Sequence, residues 1–522
     1  MYNYSDKERI KKDKTLPDSI RYIARMYPDN QVNRQSYGGL PHLGNALWGS
    51  WSLQKIQKAY ESYDNYSLSK NLLIDGFKHP KKDKVRLGTG SPARFNPFNQ
   101  CIDAIKNTLS NRILSDYPLA AGDDDHKECV VKYFNNNYPN KINKENIIFT
   151  HSSTQGFKLI MESILDYGDI VIMTEPTYGL FSFIPERTGG RVRFLKLTSK
   201  DNWKINPKEL EGLILSINKE LKEDYDKNRG KYIFRRSDTS PKVSAFVHIN
   251  PHNPTGIVYG RKNKSLLKKI SNICKNSGVF LIDDLAYSGL EYDRNETALP
   301  IYSIKGHFDN TITLHTLSKS YGLSGLRSGI IICNEVVSSL IRDKIFQTSD
   351  SLSILQSSAM STIFSLKENI QKEKEKYLSY VTNQYYERFI FVKSIIDGSN
   401  TLKNSEKKIF NKILKKTNLN ISSNKIFKGI HNVEIIIKPE SGFFVLLDLS
   451  NILGKSYKGF NIIDDKTLLQ FLYTSGNIKV LTGNAFYWGD DNQLVARVTI
   501  ALEYSDLLDS FQRLKSSIES LI

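Results

Sequence analysis

Cysteine is scarce: four in 522 residues, Cys101, Cys129, Cys274 and Cys333, all far apart in the chain. Their spacing makes neither a metal site nor a disulfide framework, and a reducing compartment is the simplest expectation. No apolar run approaches the roughly 20 residues that cross a bilayer. The opening MYNYSDKERIKKDK is polar and charged where a signal peptide has its apolar stretch. A soluble, cytoplasmic protein is expected. No internal repeat is evident. Acidic residues are also short, 55 against 73 lysines and arginines, for a formal charge of +18. A basic balance can signal nucleic acid or another anionic partner. Here the lysines are spread along the chain, denser near Lys78–Lys84 and Lys403–Lys428, in a sequence rich in Asn, Ile and Lys. We read this as compositional bias. Neither nucleic acid nor a membrane is expected as a partner, although an anionic small molecule would find the surface attractive.

What the chain does have is length for two or three domains and a hydrophobic share of 39%, enough for a sizeable core. The first 80 or so residues are polar and poor in clear strands. The stretch Ser36–Trp51 has turn-forming glycines and two tryptophans and reads as an arm, with a weakly patterned helix expected over Leu53–Asp75. From Val85 onward short apolar runs alternate with helical stretches, the pattern of a parallel sheet with crossover helices. The expected strands are 145–150, 169–176, 191–197, 243–250, 279–284, 310–317 and 329–333, with helical text over 155–165, 262–276 and 336–396. The last third reads as a smaller α+β unit. It has two strands around a turn in 432–450, another in 496–503 and a helix over 505–522. The Lys/Asn-rich stretch Ser399–Lys428 reads as an insertion or mobile surface excursion, and a second insertion is expected at Leu221–Pro241. The fold class expected is α/β: a large domain with a mostly parallel seven-stranded sheet between helices, plus a smaller α+β domain. The boundaries expected are an arm over 1–80, a small domain from 81–130 with 390–522, and a large domain over 131–389.

The segment richest in chemistry is TLSKSYGLSGLRSG, from Thr316 to Gly329. Lys319 follows an expected strand and sits among small hydroxyl residues and glycines. An aldehyde cofactor needs an amine that is partly deprotonated and within reach, and a lysine at the end of a buried strand meets that need. Thr316, Ser318 and Arg327 bring hydroxyl donors and a fixed cation for a phosphate. Other segments follow in order: DYPLAAGDDD, THSSTQGF, EPTYGLF, INPHNPTG, IDDLAYSGL and, near the end, VARVTIALE.

The SKxxGLxGxRxG string resembles the lysine signature of the class I/II aminotransferases, pyridoxal-phosphate enzymes of fold type I. The resemblance covers roughly residues 85–522. It implies a Schiff base between Lys319 and the cofactor pyridoxal 5'-phosphate. It also implies that Asp284 holds the ring nitrogen protonated, with Asp283 as the competing choice. Asn253 and Tyr287 would hold the ring oxygen, and Tyr178 would stack on the ring face. Ser153 and Thr154, opening a helix after a strand, would join Ser318, Thr316 and Arg327 at the phosphate. The family often has glycine where this chain has Ser152, so the cradle departs from the usual pattern. Arg497 would bind the substrate α-carboxylate as a bidentate pair, beside the backbone of Gly90. Tyr117, ahead of Gly122, would reach the phosphate of a partner subunit, which implies a homodimer with shared active sites.

The activity so implied is transamination between an amino acid and a 2-oxo acid, with Lys319 removing the α-proton and returning it to the cofactor carbon. The same fold hosts decarboxylation, elimination, cyclisation and oxidation of amino acids, and these form the alternative. A regulator with a winged-helix DNA-binding domain fused to such a domain is a third reading. Residues 1–80 lack the compact helix-turn-helix pattern it needs.

Overall fold

The computed structural model describes residues 85–92, 95–110, 112–417, 425–489 and 492–522. The expectations for the 36–51 arm and the 53–75 helix lie outside the described residues.

All seven expected strands of the central sheet form, each within a residue or two of the expected bounds. They are β1 (Ile147–Thr150), β2 (Ile170–Glu175), β3 (Arg191–Lys196), β4 (Val243–Ile249), β5 (Phe280–Asp284), β6 (Thr311–Thr316) and β7 (Gly329–Ile332). Their spatial order is β1-β7-β6-β5-β4-β2-β3. Every neighbouring pair is parallel except those of β7, which runs antiparallel to both β1 and β6. Strands covered on both faces read as continuous apolar runs, and β1, β2, β4 and β5 are buried at every position. Alternate residues serve opposite faces. Ile148 and Ile331 join one core layer with Phe157 and Leu314, whereas Ile147, Phe149, Ile330 and Ile332 join another with Val130 and Phe134.

Helices α1 (Asn99–Leu109) and α2 (Asp124–Asn137) belong to that second layer. In α1 the Cys101 thiol reaches the carbonyl of Ala359 at 3.3 Å, and Thr108 meets Ser358 at 3.0 Å. Both partners lie on the later helix 354–362. Residues 99–137 share a core layer with the large sheet, while the short strand Val85–Arg86 pairs with Ile478–Lys479 of the smaller unit. Helix α3 (Ser153–Ile164) follows β1, with the Ser152 hydroxyl accepting from the Gln155 N–H at 3.2 Å.

The smaller unit has a four-stranded antiparallel sheet made of β8 (Glu434–Ile435), β9 (Phe444–Asp448), β10 (Leu481–Thr482) and β11 (Val495–Thr499), in the order β10-β11-β9-β8. The helix at Tyr504–Glu519 closes its core. Helix α4 (Glu368–Lys393) links the units: Leu378 is buried in the large-sheet layer, and residues from Val381 to Val392 in the smaller core.

Neither expected insertion is a loose excursion over its described residues. Asn404–Thr417 is a helix, α5, that buries Phe410, Ile413 and Leu414 in the smaller core. Its apolar positions recur at helical spacing beneath a lysine-dense surface, which hid them. Within 221–241, Arg235 reaches Asp169 at 3.0 Å, and the backbone N–H of Arg236 donates to Asp166 at 2.9 Å. Both aspartates are fully buried just ahead of β2. A buried carboxylate is retained only when paired, so this segment is fastened to the sheet. Among the described residues, no helix is long and apolar enough to cross a membrane.

Candidate active site

The antiparallel β7 explains why the site lies where it does. Its first residue, Gly329, is registered between Thr150 at the end of β1 and Thr316 at the end of β6. The chain before β7, which carries Arg327, therefore meets the carboxyl ends of the parallel strands, where open α/β sheets bind ligands. A Cβ on Gly329 would fall 2.6 Å from the carbonyl carbon of Ser152 and 2.8 Å from the nitrogen of Ser153. Glycine here lets the first turn of α3 close onto the sheet edge and present its backbone N–H groups.

A cleft of about 340 Å³ opens at this edge. Lys319, three residues beyond β6, lies in it with its ammonium donating to the Gly90 carbonyl at 2.6 Å, 5.8 Å from the Tyr287 ring centre. Burial, with Arg497 and Arg327 as cationic neighbours, brings this amine down to about 8. Arg327 adopts a left-handed backbone, φ 57°, which costs a residue with a Cβ about 1 kcal/mol or more. The turn is held by Gln356, whose amide donates to the carbonyls of Leu326 and Arg327, both at 2.9 Å. Thr316 faces the cleft, but its hydroxyl donates to the Ser328 carbonyl at 2.7 Å and lies 2.9 Å from the Ser318 hydroxyl. It braces Ser318 and the turn.

Period-two alternation on β5 separates the two adjacent aspartates. Asp283 turns away from the cleft, 2.9 Å from His248 Nδ1 and accepting from the Ile301 N–H at 2.9 Å. Asp284 lines the cleft. Its burial pushes the carboxyl up to about 7, opposed by the Ala286 N–H that donates to it at 3.1 Å. Of the two candidates, Asp284 is the one that lines the cleft. Next to β4, His252 bridges the hydroxyls of Thr174 and Thr255 at 3.0 and 2.8 Å. Burial, with His248 nearby, takes this imidazole down to about 3, so it is neutral. It fixes the turn that presents Asn253.

At the other end of the cleft stands Arg497, on β11. It donates to the Asn253 side-chain oxygen at 3.1 Å and to the Gly88 carbonyl at 3.3 Å, and lies 3.9 Å from the centre of the Phe444 ring. Among the described residues its Nε has no hydrogen-bond partner. Among the described residues no carboxylate pairs with this buried guanidinium, an arrangement that calls for an anionic ligand.

The cleft thus gathers Ser153, Thr154, Tyr178, Asn253, Asp284, Tyr287, Thr316, Ser318, Lys319, Arg327, Gly90 and Arg497, twelve of the thirteen residues singled out in the sequence. The thirteenth, Tyr117, stands outside it, 89% exposed. Ser152 also lines the cleft, alongside Leu180, Phe181, Phe444 and Leu481, which the sequence reading missed. Apolar residues on a strand or a short helical turn read as core. Among the described residues no cluster of His, Cys, Asp or Glu is suited to hold a metal ion.

Residues 82–509 match the family model described as aminotransferase class I and II. Nicotianamine aminotransferase 1 of Oryza sativa subsp. japonica is 23% identical over 439 residues, 82% of this chain and 74% of that protein. An S-alkyl-thiohydroximate lyase of Arabidopsis thaliana is 26% identical over 447 residues, 84% of this chain and 80% of its own. In fold, the chain is similar to the crystal structure of an aspartate aminotransferase from Rhizobium meliloti, with a TM-score of 0.65 and 16% identity, covering 92% of this chain and 98% of that one.

Proposed function

Since the chain belongs to the class I and II aminotransferases and is a pyridoxal-phosphate-dependent enzyme that moves amino groups between amino acids and 2-oxo acids, we propose that the cleft around Lys319 is where it does so. The observation that carries this reading is that the half-buried Lys319 amine, brought down to about 8, shares one cleft with Asp284 and Arg497. The residues fit the cofactor. A desolvated amine suits its aldehyde, a buried carboxylate suits its ring nitrogen, and the close approach allowed by Gly329 suits its phosphate.

When bound, pyridoxal phosphate supplies an aldehyde that condenses with amines and a ring that draws electrons from the carbon next to the nitrogen. Lys319 would hold the aldehyde, and its free amine would take a proton from the substrate α-carbon and later return one. Asp284 would pair with the ring nitrogen. Asn253 and Tyr287 would hold the ring oxygen, and Tyr178 would cover a ring face. Ser153, Thr154, Ser318 and Arg327 would bind the phosphate, with Thr316 bracing Ser318. Arg497 would take the α-carboxylate beside the Gly90 backbone. Tyr117 serves the phosphate of a second copy, in a cytoplasmic homodimer. We group the cofactor-binding domain as the central sheet with residues 99–137 around it, and the smaller domain as residues 85–92 with the chain from the middle of α4 onward.

The test is borohydride reduction of the cofactor-loaded protein, followed by peptide mass mapping. The cofactor is expected on Lys319 and absent from Lys319→Ala; fixation at another lysine would overturn the assignment. The lyase among the relatives supports a second reading, another reaction on an amino acid at the same site. Release of ammonia or carbon dioxide from an amino acid without any 2-oxo acid would favour it.

A further inference from the structure

With Lys319 at the substrate α-carbon and Arg497 on its carboxylate, the side chain leaves the α-carbon inside the cleft that these two groups share. These groups contact the carbonyls of Gly90 and Gly88, two residues apart, so the span between the two carbonyls is at most about 7 Å of extended chain. That is the scale of one amino acid.

Around Arg497 the wall is hydrocarbon. In the small sheet Leu481 on β10 and Leu446 on β9 stand directly opposite Arg497, one on each side. Directly opposed residues of antiparallel strands share a face, so both leucines flank the guanidinium. Phe444, two residues before Leu446, shares that face and covers the guanidinium. Leu180 lines the same cleft. The charged side chains of the cleft, among the described residues, are Asp284, Lys319, Arg327 and Arg497. In the reading given above, the first three serve the cofactor and the fourth the α-carboxylate. A second carboxylate on the substrate would then be buried against leucine and phenylalanine without a partner, a costly arrangement. An ammonium or guanidinium there would meet the same surface.

We propose that the amino acid accepted beside Arg497 carries an uncharged, apolar side chain of the size of leucine, methionine or phenylalanine, and that Leu481 sets this preference. The inference rests on Arg497 holding the α-carboxylate. Leu481 is the determinant because it is registered against Arg497 and lines the cleft, whereas Leu446, on the other side of Arg497, does not line it.

The test uses the cofactor-loaded protein and acids that lack the amine and cannot react: 4-methylpentanoate, 3-phenylpropanoate, succinate and glutarate, titrated by calorimetry. The two monocarboxylates are expected to bind at least ~10-fold tighter than either dicarboxylate, the scale on which a fitted apolar pocket discriminates. Leu481→Arg is expected to reverse the order and Leu481→Met to keep it. Single-turnover conversion with leucine, phenylalanine, aspartate and glutamate should rank the same way. Should Leu481→Arg fail to fold, the wild-type order decides alone. Dicarboxylates binding as well as or better than monocarboxylates, or no acid binding at all, would overturn the proposal. Failure of borohydride to fix cofactor on Lys319 is a separate outcome, and removes the functional reading whichever acid binds.

Discussion

Lys319 has to be a nucleophile at neutral pH, and its surroundings supply the means. Removing water and adding two neighbouring cations lowers the amine from 10.5 to about 8. The free amine, not the ammonium, attacks an aldehyde. Capture of pyridoxal phosphate by cofactor-free protein should therefore accelerate as pH rises through about 8 and level off above it; stopped-flow absorbance measures this, and a flat profile would contradict it. The same groups carry a stability signature. Asp284 is raised from 3.8 to about 7, so between those values the folded protein holds a proton that the unfolded chain has lost, and stability falls as pH rises. Between about 8 and 10.5 the unfolded chain holds Lys319's extra proton, and stability climbs with pH. Both groups are charged and buried between 7 and 8. Cofactor-free Lys319→Met should accordingly melt above wild type near pH 7.5, with the gain shrinking by pH 10. At Arg497 the expected loss is in substrate binding. Arg497→Lys removes the planar donor pair and forfeits about 1.5–3 kcal/mol of charge-assisted hydrogen bonding, roughly 10- to 100-fold in KM, with a smaller change in kcat. These polar residues were legible in the sequence because each stands in a string with few structural explanations. Leu180, Phe444 and Leu481 were not, because an apolar residue that lines a cleft is written the same way as one that lines a core.

At the scale of elements, the seven strands were legible because burial on both faces erases polar alternation and leaves short, bounded apolar runs. The direction of β7 was not, since nothing in Gly329–Ile332 marks a strand as antiparallel. That direction carries the site. It brings Arg327 and Gly329 to the edge shared by the ends of β1 and β6. Gly329→Ala would drive a methyl into the backbone of Ser152 and Ser153, neither of which can yield without moving α3. The expected result is about 1–3 kcal/mol of destabilisation in denaturant unfolding, together with weakened retention of pyridoxal phosphate on dialysis. Stability lost without loss of retention would remove the phosphate role of that turn. Helix α5 shows the opposite failure of reading. Its lysines and asparagines are what a sequence displays, while Phe410, Ile413 and Leu414 form the buried stripe. Phe410→Ala should cost about 3–5 kcal/mol, as for a buried aromatic, yet leave the affinity of the folded protein for cofactor unchanged. A cost below 1 kcal/mol would restore the picture of a loose excursion.

The whole molecule divides the labour of the site between two packed units. Lys319 and Asp284 stand on the central sheet, and Arg497, Phe444 and Leu481 on the smaller one, with α4 buried in the cores of both. One proposed component is left over. Tyr117 is 89% exposed, and its chain neighbours Leu114 and Leu119 are 44% and 56% exposed on the molecule's own surface. If a second copy covers it and its phenol reaches the other copy's phosphate, each site draws Lys319 from one chain and Tyr117 from the other. Two singly impaired variants should then repair each other. In a mixed dimer of Lys319→Ala with Tyr117→Ala, one site combines the intact Lys319 of the second with the intact Tyr117 of the first, and the other site carries both defects. Random association of equal amounts makes half of the dimers mixed, so the unfolded and refolded mixture should recover about a quarter of the wild-type sites. Lys319→Ala alone should show none, and Tyr117→Ala a reduced affinity for cofactor. Sedimentation fixes the dimer, and activity at limiting cofactor reads the repair. A mixture no more active than the average of its two parents would mean that Tyr117 serves its own chain or none.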